Sequence, residues 1–201
     1  MKYILSHILL LLHATGFSQE INRLIGEGNE AYRLQQYDKA VASYKAALES
    51  DPANAIASFN MGNALFKNKK YEEAAKIFDE ATRKTSDPKL QSQLFYNKGV
   101  ALTQQRKLEE SIAAYKQSLR MNATDSLARE NLQRAIDELQ QQQQQNQQKE
   151  KKENPQPKPK QNKLNQQQVQ QLLKALEEQE RKLQDKMMKK SPTPGQPDKD
   201  W

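Results

Sequence analysis

The sequence predicts an all-α solenoid: three helix hairpins stacked side by side and closed by a capping helix, then a polar linker and one isolated amphipathic helix. Three observations carry this reading. First, "GEGNEAYRLQQYDKAVASYKAAL" (26–48) recurs as "NMGNALFKNKKYEEAAKIFDEA" (60–81) and again as "NKGVALTQQRKLEESIAAYKQSL" (97–119). Second, Gly28, Gly62 and Gly99 head the three copies at steps of 34 and 37 residues, a period that means stacked supersecondary units. Third, only 35% of the 201 residues are hydrophobic and mean hydropathy is −1.04, too polar for a packed core throughout.

The chain opens on "MKYILSHILLLLHATGFSQE": one Lys, a largely apolar run over 3–17, then small residues before Gln19. This is the layout of a secretory signal peptide over 1–18, cleaved near Ser18. A membrane span needs about 20 apolar residues, and this run is shorter and is interrupted by Ser6, His7 and His13. Cleavage would remove both histidines of a chain that has no cysteine. The mature protein would then lack the commonest general base and metal ligand and the most nucleophilic side chain, so no cofactor and no metal is expected.

The solenoid is expected over 19–140. In each copy two segments carry small or apolar residues at helical spacing. Columns of small residues run through Gly28, Gly62 and Gly99, through Ala40, Ala74 and Ser111, and through Ala47, Ala81 and Ser118; an aromatic column holds Tyr44, Phe78 and Tyr115. Small residues let paired helices approach while the aromatic fills the space beside them. One hairpin buries too little to stand alone, so neighbours must stack. Asn54, and Asp87 followed by Pro88, are start signals for the leading helices of the second and third copies. Residues 125–140 place Leu127, Leu132, Ala135, Ile136 and Leu139 on one helical stripe, the cap that a solenoid end requires.

Beyond it, residues 141–163 are rich in Gln, Lys and Pro and read as a disordered linker, with the glutamines extending the capping helix by a turn or two. Residues 164–190 restore periodicity: Leu173, Leu176, Leu183 and Met187 form a heptad seam that has no core of its own and so points to a partner contact. The tail, 191–201, reads as disordered and ends in the only Trp of the chain, Trp201, an exposed aromatic suited to a partner's pocket.

The repeated residues resemble the tetratricopeptide repeat. Its pattern of Gly, aromatic, Ala, aromatic, Ala and closing Pro is met by Gly28, Tyr37, Ala40, Tyr44, Ala47 and Pro52; the third copy departs at Ser111, Ser118 and Ala123. The resemblance implies a right-handed solenoid whose leading helices line a concave groove. The groove positions it implies are Asn22, Ile25, Asn29, Tyr32 and Arg33 in the first copy, Ile56, Phe59, Asn63, Phe66 and Lys67 in the second, and Gln93, Tyr96, Val100, Thr103 and Gln104 in the third. Amides, rings and cations together suit an extended peptide, with about half of the rings expected to pack on neighbouring helices instead. One subgroup of that family clamps a C-terminal carboxylate with basic residues. Here the corresponding places hold Ile25, Gln93 and Asn97, so internal peptide segments or folded partners are the implied ligands.

The whole layout, with "LLKALEEQERKLQDKMMKK" and the closing "KDW", resembles the BatC-type proteins of the Bacteroides aerotolerance operon. That resemblance implies a periplasmic scaffold working with membrane-anchored von Willebrand factor A-domain proteins. The chain is thus expected to be a non-catalytic interaction protein, with no site-forming carboxylate pair: Glu72 and Glu73, like Glu109 and Glu110, are adjacent and face different ways on a helix. A net charge of +7 offers an alternative, a basic tail binding nucleic acid or, through Lys182, Lys186, Lys189 and Lys190, an anionic membrane surface. The charges are interspersed, which argues against nucleic acid. Between the third copy and the cap, NAT at Asn122 is a glycosylation sequon, and DSL at 125–127 resembles a bacterial O-glycosylation site.

Overall fold

The computed structural model describes the backbone of residues 2–153 and positions 171, 174, 175, 178, 181 and 182, with side chains from 18 to 146 and at 148 within the main segment. Among the described residues there are seven helices and no strand: α1 (Lys2–Arg33), α2 (Tyr37–Ser50), α3 (Ala55–Lys67), α4 (Tyr71–Thr82), α5 (Pro88–Gln104), α6 (Leu108–Met121) and α7 (Ser126–Glu153). Each packs on the next in order, and the odd-numbered helices also touch one another in series, so α1, α3, α5 and α7 form one row and α2, α4 and α6 the other.

Close approach within each hairpin follows from the glycine column. A methyl group on Gly28, Gly62 or Gly99 would stand 2.5, 2.5 or 2.6 Å from Cε1 of Tyr44, Phe78 or Tyr115, so only hydrogen fits beneath these buried rings. The substituted serines of the third copy are fully satisfied. Ser118 Oγ donates to the Ser92 carbonyl at 2.9 Å, Ser92 Oγ to the Ser118 carbonyl at 3.1 Å, and Ser111 Oγ to the Leu108 carbonyl at 2.9 Å.

The helix ends are built to a repeated plan. Asn54 Oδ1 accepts from Ala57 N at 2.9 Å, Asp87 Oδ1 from Lys89 N at 3.0 Å and Asp125 Oδ1 from Ala128 N at 3.0 Å, each filling one orphan donor of a leading helix. At the turns inside the hairpins, Gln36, Lys70 and Lys107 donate back to the Ala31, Leu65 and Leu102 carbonyls, closing each leading helix in the same way. The residue before each lies in the left-handed region: Gln35 at φ 59°, Lys69 and Arg106 at φ 60°. Without glycine there, each turn carries about 1 kcal/mol of strain, which the shortness of the connection, three residues between helices, imposes.

The 37-residue step is absorbed as an extra turn. α5 has 17 residues where α3 has 13, and the added turn buries Leu90 while Gln91 Nε2 donates to the Thr82 and Thr85 carbonyls at the end of α4. Asp79 of α4 ties this boundary. Lys98 Nζ of α5 and Arg83, the residue that follows α4, donate to it at 2.5 and 2.9 Å, and the Lys98 hydrogen bond, more than Arg83, holds its carboxyl below the usual range.

α7 covers the end of the stack. Ala128, Leu132, Ala135, Ile136 and Leu139 are buried against Leu108, Ile112, Tyr115 and Leu119 of α6. Leu127, placed on that stripe by its spacing, is instead 60% exposed. The helix also runs well into the segment expected to be a disordered linker, ending at Glu153 rather than a turn or two past Gln140. Gln, Glu and Lys lose little rotamer freedom in a helix, so a helix anchored by a buried half continues through them. The remainder of that linker, the seam of Leu173, Leu176, Leu183 and Met187, and Trp201 lie outside the described residues; positions 171, 174, 175, 178, 181 and 182 are helical and exposed.

At the other end, the apolar opening run and the first solenoid helix form the single element α1. No helix among the described residues is long and apolar enough to cross a membrane.

Candidate functional site: the face of the odd-numbered helices

The groove positions expected from the sequence all fall on α1, α3 and α5, and none is fully buried. Asn22, Asn29, Arg33, Ile56, Lys67, Gln93 and Gln104 are exposed; Ile25, Tyr32, Phe59, Asn63, Phe66, Tyr96, Val100 and Thr103 are half-buried. The rings do more packing than expected. All four lie against a ring of a trailing helix: Tyr32 on Tyr37 at 5.6 Å, Phe59 on Phe78 at 6.3 Å, Phe66 on Tyr71 at 5.2 Å and Tyr96 on Tyr115 at 6.0 Å between centroids. Their half-exposed remainder is what a ligand would meet. Thr103, the counterpart of Tyr32 and Phe66, instead donates its hydroxyl to the Gly99 carbonyl at 3.0 Å.

A chain of amides joins these helices along the face. Asn60 Nδ2 donates to Asn29 Oδ1 at 3.1 Å, Asn97 Nδ2 to Asn63 Oδ1 at 2.9 Å and Asn131 Nδ2 to the Tyr96 hydroxyl at 2.9 Å. Asn29 Oδ1 also accepts from the Tyr44 hydroxyl at 2.7 Å. The third link ends on Tyr96 because Val100 replaces the acceptor asparagine. Sequence reasoning identified Asn29 and Asn63 but not their donors. The signal was present: Asn60, Asn97 and Asn131 recur at the same 37- and 34-residue steps as the repeat.

This clasp decides which end of each asparagine is offered. With Oδ1 of Asn29 and Asn63 occupied, the two N–H groups of each Nδ2 remain for an acceptor such as a peptide carbonyl. Tyr44 is fixed as a neutral donor, its hydroxyl pushed up to about 12 by burial; burial raises Tyr32 and Tyr115 too, the latter against a bond from Thr103. Of the cations, Arg33 pairs with Glu30 at 2.6 Å, while Lys67 is exposed at the end of α3. Burial lowers the pKa of Lys116 on α6, away from this face. Among the described residues no cluster of His, Cys, Asp or Glu is placed to hold a metal ion. Asn122, Thr124 and Ser126 of the two glycosylation-type tripeptides are exposed, and Thr124 Oγ1 donates to Asn122 Oδ1 at 2.9 Å.

Comparison with known proteins places this geometry. Tetratricopeptide repeat models match residues 25–89 and 92–125. The chain is similar to the type IV pilus assembly protein PilF of Pseudomonas aeruginosa, 37% identical over 79 residues, which is 39% of this chain and 31% of that protein. It is also similar to RNA polymerase II-associated protein 3 of Xenopus tropicalis, 26% identical over 114 residues, 57% of this chain and 17% of that one. The chain thus spans less than a third of the length of either relative.

Among solved structures, the second TPR domain of human RPAP3 in complex with the HSP70 peptide SGPTIEEVD is 25% identical with a TM-score of 0.56, over 60% of this chain and 98% of that one. The TPR2AB domain of yeast Sti1, in a pHSP90 complex, is 25% identical with a TM-score of 0.57, over 63% and 50%. These relatives give no support to the finer resemblance to the aerotolerance proteins. Residues 25–89 and 92–125 are tetratricopeptide repeats, stacked as a solenoid with α7 at its end.

Proposed function

We propose that the chain is a non-catalytic adaptor that holds an extended segment of a partner protein along α1, α3 and α5. The observation that carries this is the amide clasp. It occupies Oδ1 of Asn29 and Asn63 and leaves their Nδ2 donors for a ligand, beside half-exposed rings, which is the equipment for main-chain carbonyls and apolar side chains of one strand. The relatives that hold HSP70 and HSP90 peptides on the same fold support the class of ligand. The basic positions of a terminal-carboxylate clamp are filled by Ile25, Gln93 and Asn97, which favours an internal segment over a chain end.

In the finer reading the protein is exported and serves in the periplasm, in an envelope complex with von Willebrand factor A-domain proteins, and the helix over 164–190 with Trp201 engages a second partner. The opening apolar run supports export, and likeness to a pilus assembly protein accords with an envelope setting. Two sites on one chain would raise effective concentration without new contacts.

Asn63→Ala in the full-length chain tests the groove. One lost hydrogen bond to the ligand, about 1 kcal/mol, should weaken binding of partners recovered by crosslinking from the native envelope roughly fivefold, while loss of the Asn97 bond to Asn63 lowers the unfolding free energy by about 1 kcal/mol and leaves the chain folded. Unaltered affinity for every partner would contradict the groove reading.

A further inference from the structure

The two most exposed large apolar side chains among the described residues are Leu127, 60% exposed, and Ile56, 52% exposed. They occupy one column of the repeat. α7 repeats the pattern of α3 and α5: Ala57, Leu94 and Ala128 are buried in one column and Ala64, Ala101 and Ala135 in another. In that register Leu127 matches Ile56 and Gln93, and Asn131 matches Asn60 and Asn97. The bond from Asn131 to the Tyr96 hydroxyl fixes α7 against α5 on the groove side. The helix called a cap therefore continues the face of α3 and α5.

Charge changes along the same face. The column of Arg33, Lys67 and Gln104 ends on α7 at Glu138, and Asp137 beside it accepts from the neutral amide of Gln133 at 2.8 Å. Glu138 pairs with Arg106 at 2.6 Å, but Arg106 is 79% exposed and the pair is weakly held. Helix rows lie about 8–10 Å apart and an extended chain rises about 3.3 Å per residue, so two rows correspond to about six residues, an even number that returns a side chain to the same face.

We propose that α7 is a fourth reading row of the groove, which selects an extended peptide with two apolar side chains about six residues apart, seated on Ile56 and Leu127, acidic toward α1 and α3 and basic toward α7. This rests on the groove reading above and adds the occupant's spacing and polarity.

The full-length chain selects from a displayed library of random peptides of about twelve residues, enough to span four rows. The enriched peptides are then titrated against Leu127→Glu and Asn63→Ala. Glu is tolerated at an exposed first-turn position of a helix, and thermal unfolding verifies that both variants fold. The expected result is paired apolar residues at the stated spacing, with Leu127→Glu weakening them about tenfold, the loss of one buried anchor, and Asn63→Ala weakening them as well. Binding that responds to Asn63→Ala but not to Leu127→Glu overturns the fourth row and leaves the groove intact. No enrichment, or indifference to both substitutions, overturns the groove reading with it.

Discussion

Phe78→Ala should lower the unfolding free energy by about 3–5 kcal/mol, the largest loss among single truncations in the second hairpin. Phe78 is 1% exposed, its ring lies directly over Gly62, and it meets Phe59 at 6.3 Å. Gly62→Ala should cost about 1–3 kcal/mol for the converse reason, a methyl forced to within 2.5 Å of the ring. Combining Gly62→Ala with Phe78→Leu should cost less than the two single changes added, because the smaller side chain vacates the space that the methyl takes. Denaturant unfolding of all variants measures this, and simple additivity would show that ring and glycine do not share that space.

Leu132→Asp should cost at least about 4 kcal/mol, since it places a carboxylate where the side chain is fully buried. The loss should be local in its first consequence. α7 covers Leu108, Ile112, Tyr115 and Leu119, so amide exchange should accelerate through α5 and α6 before it does so in α1 to α4. Equal protection of all hairpins in this variant would mean that α7 does not hold the end of the stack closed.

The solenoid was legible because its determinants are periodic. Gly62 and Phe78 recur in register in every copy, and Asn54 and Asp87 are caps whose effect is local, so each could be placed without knowing the rest. Leu127 was misread because an apolar residue at helical spacing looks the same whether its stripe faces the core or a neighbouring groove. The length of α7 was misread because Gln carries opposite signals: it is common in disordered segments and is also a good helix former. Only an anchored first half decides between them. In the candidate site, the amide column was visible as a recurrence, but which asparagine donates and which accepts depends on helix offset across the stack. The strained turns at Gln35, Lys69 and Arg106 had no signal at all, since the residues there are not those that favour left-handed backbone.

The claim on which the account turns is that partners are held on the face of the odd-numbered helices. A photo-crosslinking residue placed at Phe59 of the full-length chain, and in a separate variant at Lys76, exposed on α4, tests it in the native envelope. Adducts from Phe59, depleted when Asn63→Ala is added, with none of the same species from Lys76, are the predicted result. Equal adducts from both positions, or adducts from Phe59 untouched by Asn63→Ala, would contradict it.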